Sequence, residues 1–246
     1  MLSFSIITCT WNSEPFIGQC IDSVRRQNYS AVEQLFVDGG SVDGTLERIK
    51  NARGHSRFVT NVGGGISNAM NVGIEMAQGD IIAHLHGDDY FLGEDVLSRV
   101  AAEMQKTKAD WLFGRIATDL NGIVTQPTWK MPVVSMMNLQ RGNFIGHPAV
   151  FVRTDLFKAG GLFDTRLKYA MDYDLWFRLM KLSTPVFLDS YLTVFRSHSG
   201  SASTANAMAA LREDHNVRMR HLGPGVFAQC LHQAIYLWRL VRRSLR

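Results

Sequence analysis

At 246 residues, with 46% hydrophobic and 20% charged side chains, the chain is long enough for one large or two small soluble domains with a sizeable core. A net charge of +4 is too small to argue for nucleic acid, and three scattered cysteines (Cys9, Cys20, Cys230) exclude a disulfide framework or a zinc site and fit a reducing compartment. The opening residues lack a signal-peptide pattern and no run of about 18 uncharged apolar residues occurs, so no membrane-spanning helix is expected.

The first predicted element is the strand Phe4-Ser5-Ile6-Ile7-Thr8-Cys9, β-branched and apolar enough to be covered on both faces. Thr10-Trp11-Asn12-Ser13 breaks it, and Ser13 precedes a helix with Phe16, Ile17, Cys20, Ile21 and Val24 at helical spacing. A second strand, Leu35-Phe36-Val37, ends at Asp38-Gly39-Gly40-Ser41-Val42-Asp43-Gly44-Thr45, whose Ser41 or Asp43 can cap the next helix. Arg57-Phe58-Val59-Thr60 is a short third strand. Gly63-Gly64-Gly65 then leads into a helix carrying Ile66, Met70, Ile74 and Ala77, with Asn68, Asn71 and Gly73 at its other positions. The fourth strand, residues 81 to 85, closes on His86-Gly87-Asp88-Asp89.

Strands alternating with helices through short loops argue for parallel βαβ units. Ligands collect outside the carboxyl ends of such strands, where Thr10, Asn12, Asp38, Asp43, Asp88 and Asp89 would gather. Asp38 would suit a ribose or base, and Asp88-Asp89 a phosphate-bound cation; each also reads as an ordinary turn residue. Neither a Gly-x-x-x-x-Gly-Lys-Ser/Thr loop nor a Gly-x-Gly-x-x-Gly fingerprint is present, so phosphate neutralisation would fall to a metal.

In the second half, residues 95 to 104 read as a helix, and Trp111 to Ala117 with Gly122 to Val124 as a hairpin around Asp119-Leu120-Asn121-Gly122. Residues 127 to 146, rich in Met, Pro, Asn and Gly, read as a long loop of lid type, with Met131, Met136 and Met137 either covering an acceptor or filling core. A strand over residues 146 to 153 and a short helix from Asp155 to Gly160-Gly161 follow. Met171-Asp172-Tyr173-Asp174-Leu175 opens a helix whose first-turn acids need only the helix dipole to explain them. A strand from Tyr191 runs into a Ser/Gly-rich loop at His198. Residues 206 to 222 form a polar helix and residues 226 to 246 a basic amphipathic one, with Trp238 among Arg239, Arg242, Arg243 and Arg246. Such a helix lies in a membrane interface or packs on the domain or another subunit.

Ser5-Ile6-Ile7-Thr8-x-Thr10-x-Asn12, Val37-Asp38-Gly39-Gly40-Ser41-x-Asp43-Gly44-Thr45, Asn68-Ala69-x-Asn71-x-Gly73-Ile74 and Gly79-Asp80-Ile81-Ile82 closing on Asp88-Asp89 together resemble family 2 glycosyltransferases, in particular those of bacterial polysaccharide clusters. The resemblance implies an inverting enzyme of GT-A fold: a Rossmann-like, mostly parallel central sheet flanked by helices, with a C-terminal helical tail. It implies a catalytic domain over residues 1–205 (nucleotide-binding half 1–90, acceptor-side half 91–205) and a helical extension over 206–246. Thr8, Thr10, Asn12, Asp38, Asn68, Asn71 and Asp88 would bind a nucleotide-sugar, with a UDP-sugar expected. Asp89 would hold Mg²⁺ or Mn²⁺, His198 would complete the metal sphere and Arg196 would face the diphosphate.

The metal motif departs from the family pattern, reading His86-Gly87-Asp88-Asp89 where relatives carry a further acid or Asn-Ser; His86 is either a nitrogen ligand or a packing residue. Asp172 matches the catalytic base, with Met171 replacing the Glu beside it. An inverting transfer needs a carboxylate to take the acceptor hydroxyl's proton, and a helix N-terminus would keep Asp172 ionised. The expected setting is the cytoplasm or the cytosolic face of the inner membrane, with a glycan or lipid-linked acceptor and no nucleic acid. The competing reading is a noncatalytic nucleotide-sugar-binding or assembly subunit.

Overall fold

The computed structural model describes residues 1–52, 56–197, 206–223 and 225–244. Strand β1 (Phe4–Thr10) is buried at every position, as its mostly apolar and β-branched run requires. It lies between β2 (Val32–Asp38) and β4 (Ile81–His84), with β3 (Ser56–Val59) outside β2, and all four run parallel. Their carboxyl ends therefore share one edge.

Helix α1 (Glu14–Arg25) buries Ile17, Cys20, Ile21 and Val24 against Phe4, Ile6 and Phe36 on one face of this sheet. Helix α3 (Gly65–Met76) covers the other face, packing Ala69, Met70 and Ile74 on Ile7, Cys9, Leu35 and Val37. The approach is close: a Cβ on Gly73 would stand 2.4 Å from Ile7 Cγ2, so the helix needs glycine there. Helix α2 (Thr45–Asn51) joins β2 to β3.

Beyond β4 the sheet becomes mixed. The order continues through β8 (Val150–Arg153), β6 (Trp111–Leu120), β9 (Val186–Ser197) and β5 (Tyr90–Phe91), while β7 (Ile123–Thr125) pairs with β6. Strand β8 is antiparallel to both β4 and β6, and β6 is parallel to β9. The expected hairpin is present: Asn121 and Gly122, both at positive φ, form the tight turn between β6 and β7. Helix α4 (Val96–Thr107) buries Val96, Leu97, Val100, Ala101 and Met104 on the α1 side.

Two local expectations are corrected. Residues 146 to 153 are not one strand: His147, Pro148 and Ala149 form a 3₁₀ turn before β8, since Pro148 has no N–H to give a ladder. The long segment 127 to 146 contains helix α5 (Met136–Arg141), started where Ser135 Oγ accepts a hydrogen bond from Asn138 N at 3.2 Å. Met131 and Met136 pack on the core there, whereas Met137 is exposed.

Helix α6 (Thr154–Gly160) follows β8, and α7 (Met171–Met180) buries Tyr173, Leu175, Trp176, Phe177 and Leu179 on the α3 side of the sheet. The two expected C-terminal helices, α8 (Ala207–His221) and α9 (Val226–Ser244), fold back onto this region. Val217 and Arg218 of α8 are buried, and His215 stacks on Tyr236 of α9 with ring centroids 4.1 Å apart. Among the described residues no helix is long and apolar enough to cross a membrane.

Candidate active site

The ends of β1 and β2 are laced to each other. Thr10 Oγ1 donates to Asp38 Oδ2 at 2.9 Å, and Asp38 Oδ1 accepts from Gly40 N (2.9 Å) and Ser41 N (2.8 Å). Ser41 Oγ donates to the second Asp38 oxygen. This buried carboxylate thus organises its own turn, as Asp before Gly commonly does. Asn12, at φ 47°, joins the same knot: its Oδ1 accepts from Val42 N at 3.0 Å and its N–H donates to Ser41 Oγ at 2.8 Å. Thr8 lies inside the α1 face, with its Oγ1 accepting from Gln34 Nε2 at 3.0 Å.

The two asparagines of α3 have different surroundings. Asn68 is partly exposed and donates to Gly63 O at 2.8 Å. Asn71 is buried, and both ends of its amide hold the Phe163 backbone at 2.9 Å. Ser67 Oγ adds a bond to Leu167 O at 2.9 Å. Helix α3 therefore tethers the chain that leads into α7.

At the end of β4, Asp89 is buried and Asp88 partly exposed. Burial first, and the Asp88 charge second, hold the Asp89 carboxyl well above the usual carboxylate range, against the opposing pull of Arg196. Asp89 Oδ1 accepts from Arg196 N at 3.0 Å, and Arg196 Nε donates to Asp88 O at 3.0 Å. The Arg196 guanidinium also reaches Gln19 and Asp119 and lies over the rings of Phe16 (4.9 Å) and Tyr90 (5.3 Å). Strand β9 is thereby fastened beside the acid pair. His198 lies outside the described residues.

Two adjacent carboxylates, one of them buried, fit a hard divalent cation. Among the described residues no third His, Cys, Asp or Glu gathers with them. The fit is to an ion that takes its other oxygens from a diphosphate and water, as Mg²⁺ commonly does.

His86 packs rather than joining the acids. It stacks on His147 at 5.4 Å, and His147 in turn lies 5.2 Å from His84 and 5.9 Å from Trp176. Burial and the His86 neighbour push His84 down to about 3, and burial holds His147 well below the usual imidazole range. Burial lowers His86 as well, against the opposing pull of the Asp88 charge, so all three rings are disfavoured as cations. Among the described residues, Nε2 of His84, Nδ1 of His86, both nitrogens of His147 and Nε1 of Trp176 have no hydrogen-bond partner.

Trp176 sits one helical turn beyond Asp172, so this column links the acid pair to the start of α7. Asp172 Oδ1 accepts from Tyr173 N at 2.6 Å and Oδ2 accepts from Asn143 Nδ2 at 3.3 Å. Burial pushes its carboxyl up to about 7, helped by the Asp214 charge and opposed by the Tyr173 and Asn143 hydrogen bonds. The expectation of a fully ionised Asp172 is corrected accordingly: desolvation outweighs the helix N-terminus. A carboxyl poised near neutrality is well matched to general-base work.

Asp174 has another task. Burial raises it, but hydrogen bonds from His221 (2.9 Å) and Arg178 (3.0 Å) outweigh that and hold it below the usual range. Arg220 adds a contact at 3.2 Å. Sequence patterns gave no sign of Asn143, Glu213, Asp214 or Arg218 around α7, because no local motif carries them. The clue available was the density of charge in an otherwise polar helix, residues 207 to 221.

The sheet and its flanking helices are those of a GT-A glycosyltransferase. The chain belongs to glycosyl transferase family 2, whose description "Glycosyl transferase family 2" it matches over residues 5–160. It is 32% identical over 205 residues to a PGL/p-HBAD biosynthesis glycosyltransferase of Mycobacterium tuberculosis, covering 78% of this chain and 74% of the relative. Among solved structures it superposes on S. aureus TarS 1-349 in complex with UDP-GlcNAc with a TM-score of 0.74 at 20% identity, over 96% of this chain and 72% of that one. It spans 43% of a longer TarS chain. The mannosyltransferase PcManGT from Pyrobaculum calidifontis, in complex with GDP-Man and Mn²⁺, gives 0.70 at 16% identity over 96% of this chain and 70% of its own. Family membership decides for an enzyme over a binding subunit: the protein is a glycosyltransferase.

Proposed function

We propose that this glycosyltransferase moves a sugar, with inversion, from a nucleoside-diphosphate donor to a hydroxyl of a glycan or lipid-linked acceptor in cell-surface polysaccharide synthesis. The carrying observation is the placement of Asp172. A carboxyl poised near 7 stands at the start of α7, joined through Trp176, His147 and His86 to the acid pair at the sheet edge. The donor nucleotide lies along the carboxyl ends of β1 and β2, where the loops knotted by Asn12 and Asp38 form its floor. Thr8 supports that floor from within, through Gln34, and Asn71 holds the chain at Phe163 that leads to the base helix.

Asp88 and Asp89 hold a divalent cation, Mg²⁺ or Mn²⁺, which when bound offsets charge on the leaving diphosphate. Asp172 accepts the proton of the acceptor hydroxyl as that oxygen bonds to the anomeric carbon. The bond from that carbon to the diphosphate breaks on the opposite face, and its electron pair leaves with the phosphate oxygen. A UDP-sugar is the proposed donor class; UDP-GlcNAc is bound by TarS and GDP-Man by PcManGT.

A thermal-shift screen of UDP-, GDP- and dTDP-sugars with and without Mn²⁺ tests the reading. Stabilisation by one nucleotide class, dependent on the cation, is expected; no stabilisation by any of them overturns it. A lipid-linked acceptor also agrees with α9, whose Leu237 and Trp238 are exposed beside Arg239. Deleting residues 226–246 should reduce partitioning onto anionic vesicles, and unchanged partitioning argues against membrane contact.

A further inference from the structure

Helix α7 starts without a cap of its own. Its N-cap position is Ala170, a poor residue there that makes no side-chain cap bond, and Asp172 closes only the Tyr173 N–H from within the helix. The missing acceptor comes from a distant helix. Glu213 of α8 reaches across so that Lys168 N meets both of its carboxylate oxygens at 3.0 Å, Ala170 N donates to Oε2 at 2.8 Å, and Tyr169 N donates to the same oxygen. Three successive N–H groups converging on one carboxylate form an anion-holding nest.

The rest of α8 follows α7 in register. Arg218 Nε donates to Tyr173 Oη at 3.3 Å, and Arg220 and His221 hold Asp174 at 3.2 and 2.9 Å. His221 also stacks on Phe177 with centroids 4.7 Å apart. Residues 207–221 lie beyond the family match, which ends at residue 160, so the family pattern says nothing of this arrangement.

We propose that α8 is part of the catalytic apparatus, with Glu213 as the positioning residue that fixes the first turn of α7 and hence the Asp172 carboxylate. The inference rests on the reading of Asp172 as base. Asn71 and Ser67 hold the 163–167 chain from the α3 side, and Glu213 holds the next three residues from the α8 side. Between them the approach to Asp172 is secured from both directions.

The test uses the full chain and two variants. In Glu213→Ala, hydrogen–deuterium exchange of peptides covering residues 165–176 should quicken by at least about tenfold, with peptides of β1 and β4 unchanged. Turnover, read as UDP release from UDP-GlcNAc or GDP release from GDP-mannose, should fall in kcat by roughly 10- to 100-fold while KM for the donor stays within about twofold, as expected of a misplaced base. Glu213→Gln keeps an oxygen acceptor in place and should restore most of the exchange protection and of kcat.

Unchanged exchange at 165–176 overturns the proposal, as does a parallel loss of kcat and donor affinity that Glu213→Gln does not mend. If Glu213→Ala does not fold, Glu213→Asp stands in for it, because the shorter side chain cannot reach all three N–H groups: quicker exchange confined to 165–176 with a kcat loss supports the proposal, and no change in either sinks it. Asp172→Asn separates the two readings. Normal turnover in that variant removes the base assignment whatever Glu213 does, whereas a dead Asp172→Asn beside a wild-type Glu213→Ala removes only the positioning role.

Discussion

The two ends of the proposed active site are built in opposite ways. At the donor end, Thr10, Asn12, Asp38 and Ser41 form one hydrogen-bonded knot contributed by two neighbouring turns of a parallel sheet. At the base end, Asp172 takes its surroundings from Asn143, Asp214 and the Glu213-held turn, which come from three separate stretches of chain. The first is turn chemistry repeated at adjacent strand ends; the second is assembled by packing. A local knot is expected to survive changes in the second half of the protein, and a packed assembly to respond to them.

The largest test of that contrast is Asp172→Asn. Loss of a general base should reduce kcat by about 10²- to 10⁴-fold, while calorimetric affinity for the donor nucleotide stays near wild type. A comparable loss of nucleotide affinity would mean that the two ends are not separable. Asp89→Asn breaks the donor end instead. Its cation-dependent nucleotide affinity should fall by more than the roughly 10- to 100-fold typical of losing a residue that merely supports a metal, and titration with and without Mn²⁺ reads it.

A smaller effect is expected from Gly73→Ala, which probes the helix–strand contact beneath the donor knot. Its Cβ meets Ile7 Cγ2 at 2.4 Å. Overpacking of this kind costs about 1–3 kcal/mol, visible as a drop in Tm. An unchanged Tm would show that α3 can slide on β1.

The smallest effect concerns pH. With Asp172 at about 7, kcat should rise with pH and level off above neutrality. Asp214→Asn removes a negative neighbour, so ionisation becomes easier and the acid limb moves to lower pH, by less than about one unit. An acid limb that stays in place would exclude Asp214 from the field at Asp172. The stability term has the opposite sign. Between the ordinary carboxylate value of 3.8 and about 7 the folded protein keeps a proton that the unfolded chain has released. This carboxyl therefore lowers stability as pH rises through the window in which it becomes active.

Much of the donor end was legible from residue order. The strand run at Ile6 and Ile7 and the Asp38-Gly39-Gly40 turn follow from short-range patterns, whereas what Gly73 and Asp89 meet, Ile7 and Arg196, lies far off in the chain. Pro148 and Ser135 show the limit of that reading. Each changed a single element boundary, through a missing donor in one case and a local cap in the other. Arg196, proposed to face the diphosphate, has a guanidinium set among Phe16, Gln19, Tyr90 and Asp119, partners that no spacing announces.

By itself the sequence determined the alternation of strands and helices and the edge at which they end, because hydrophobic period and turn chemistry are short-range properties; that Asp172 matches a base was implied by the family resemblance alone. The tertiary structure alone decided how the Asp172 carboxyl ionises and what holds it. Desolvation and the field of Asp214 depend on which surfaces meet, and α8 meets α7 only after the chain has closed over it.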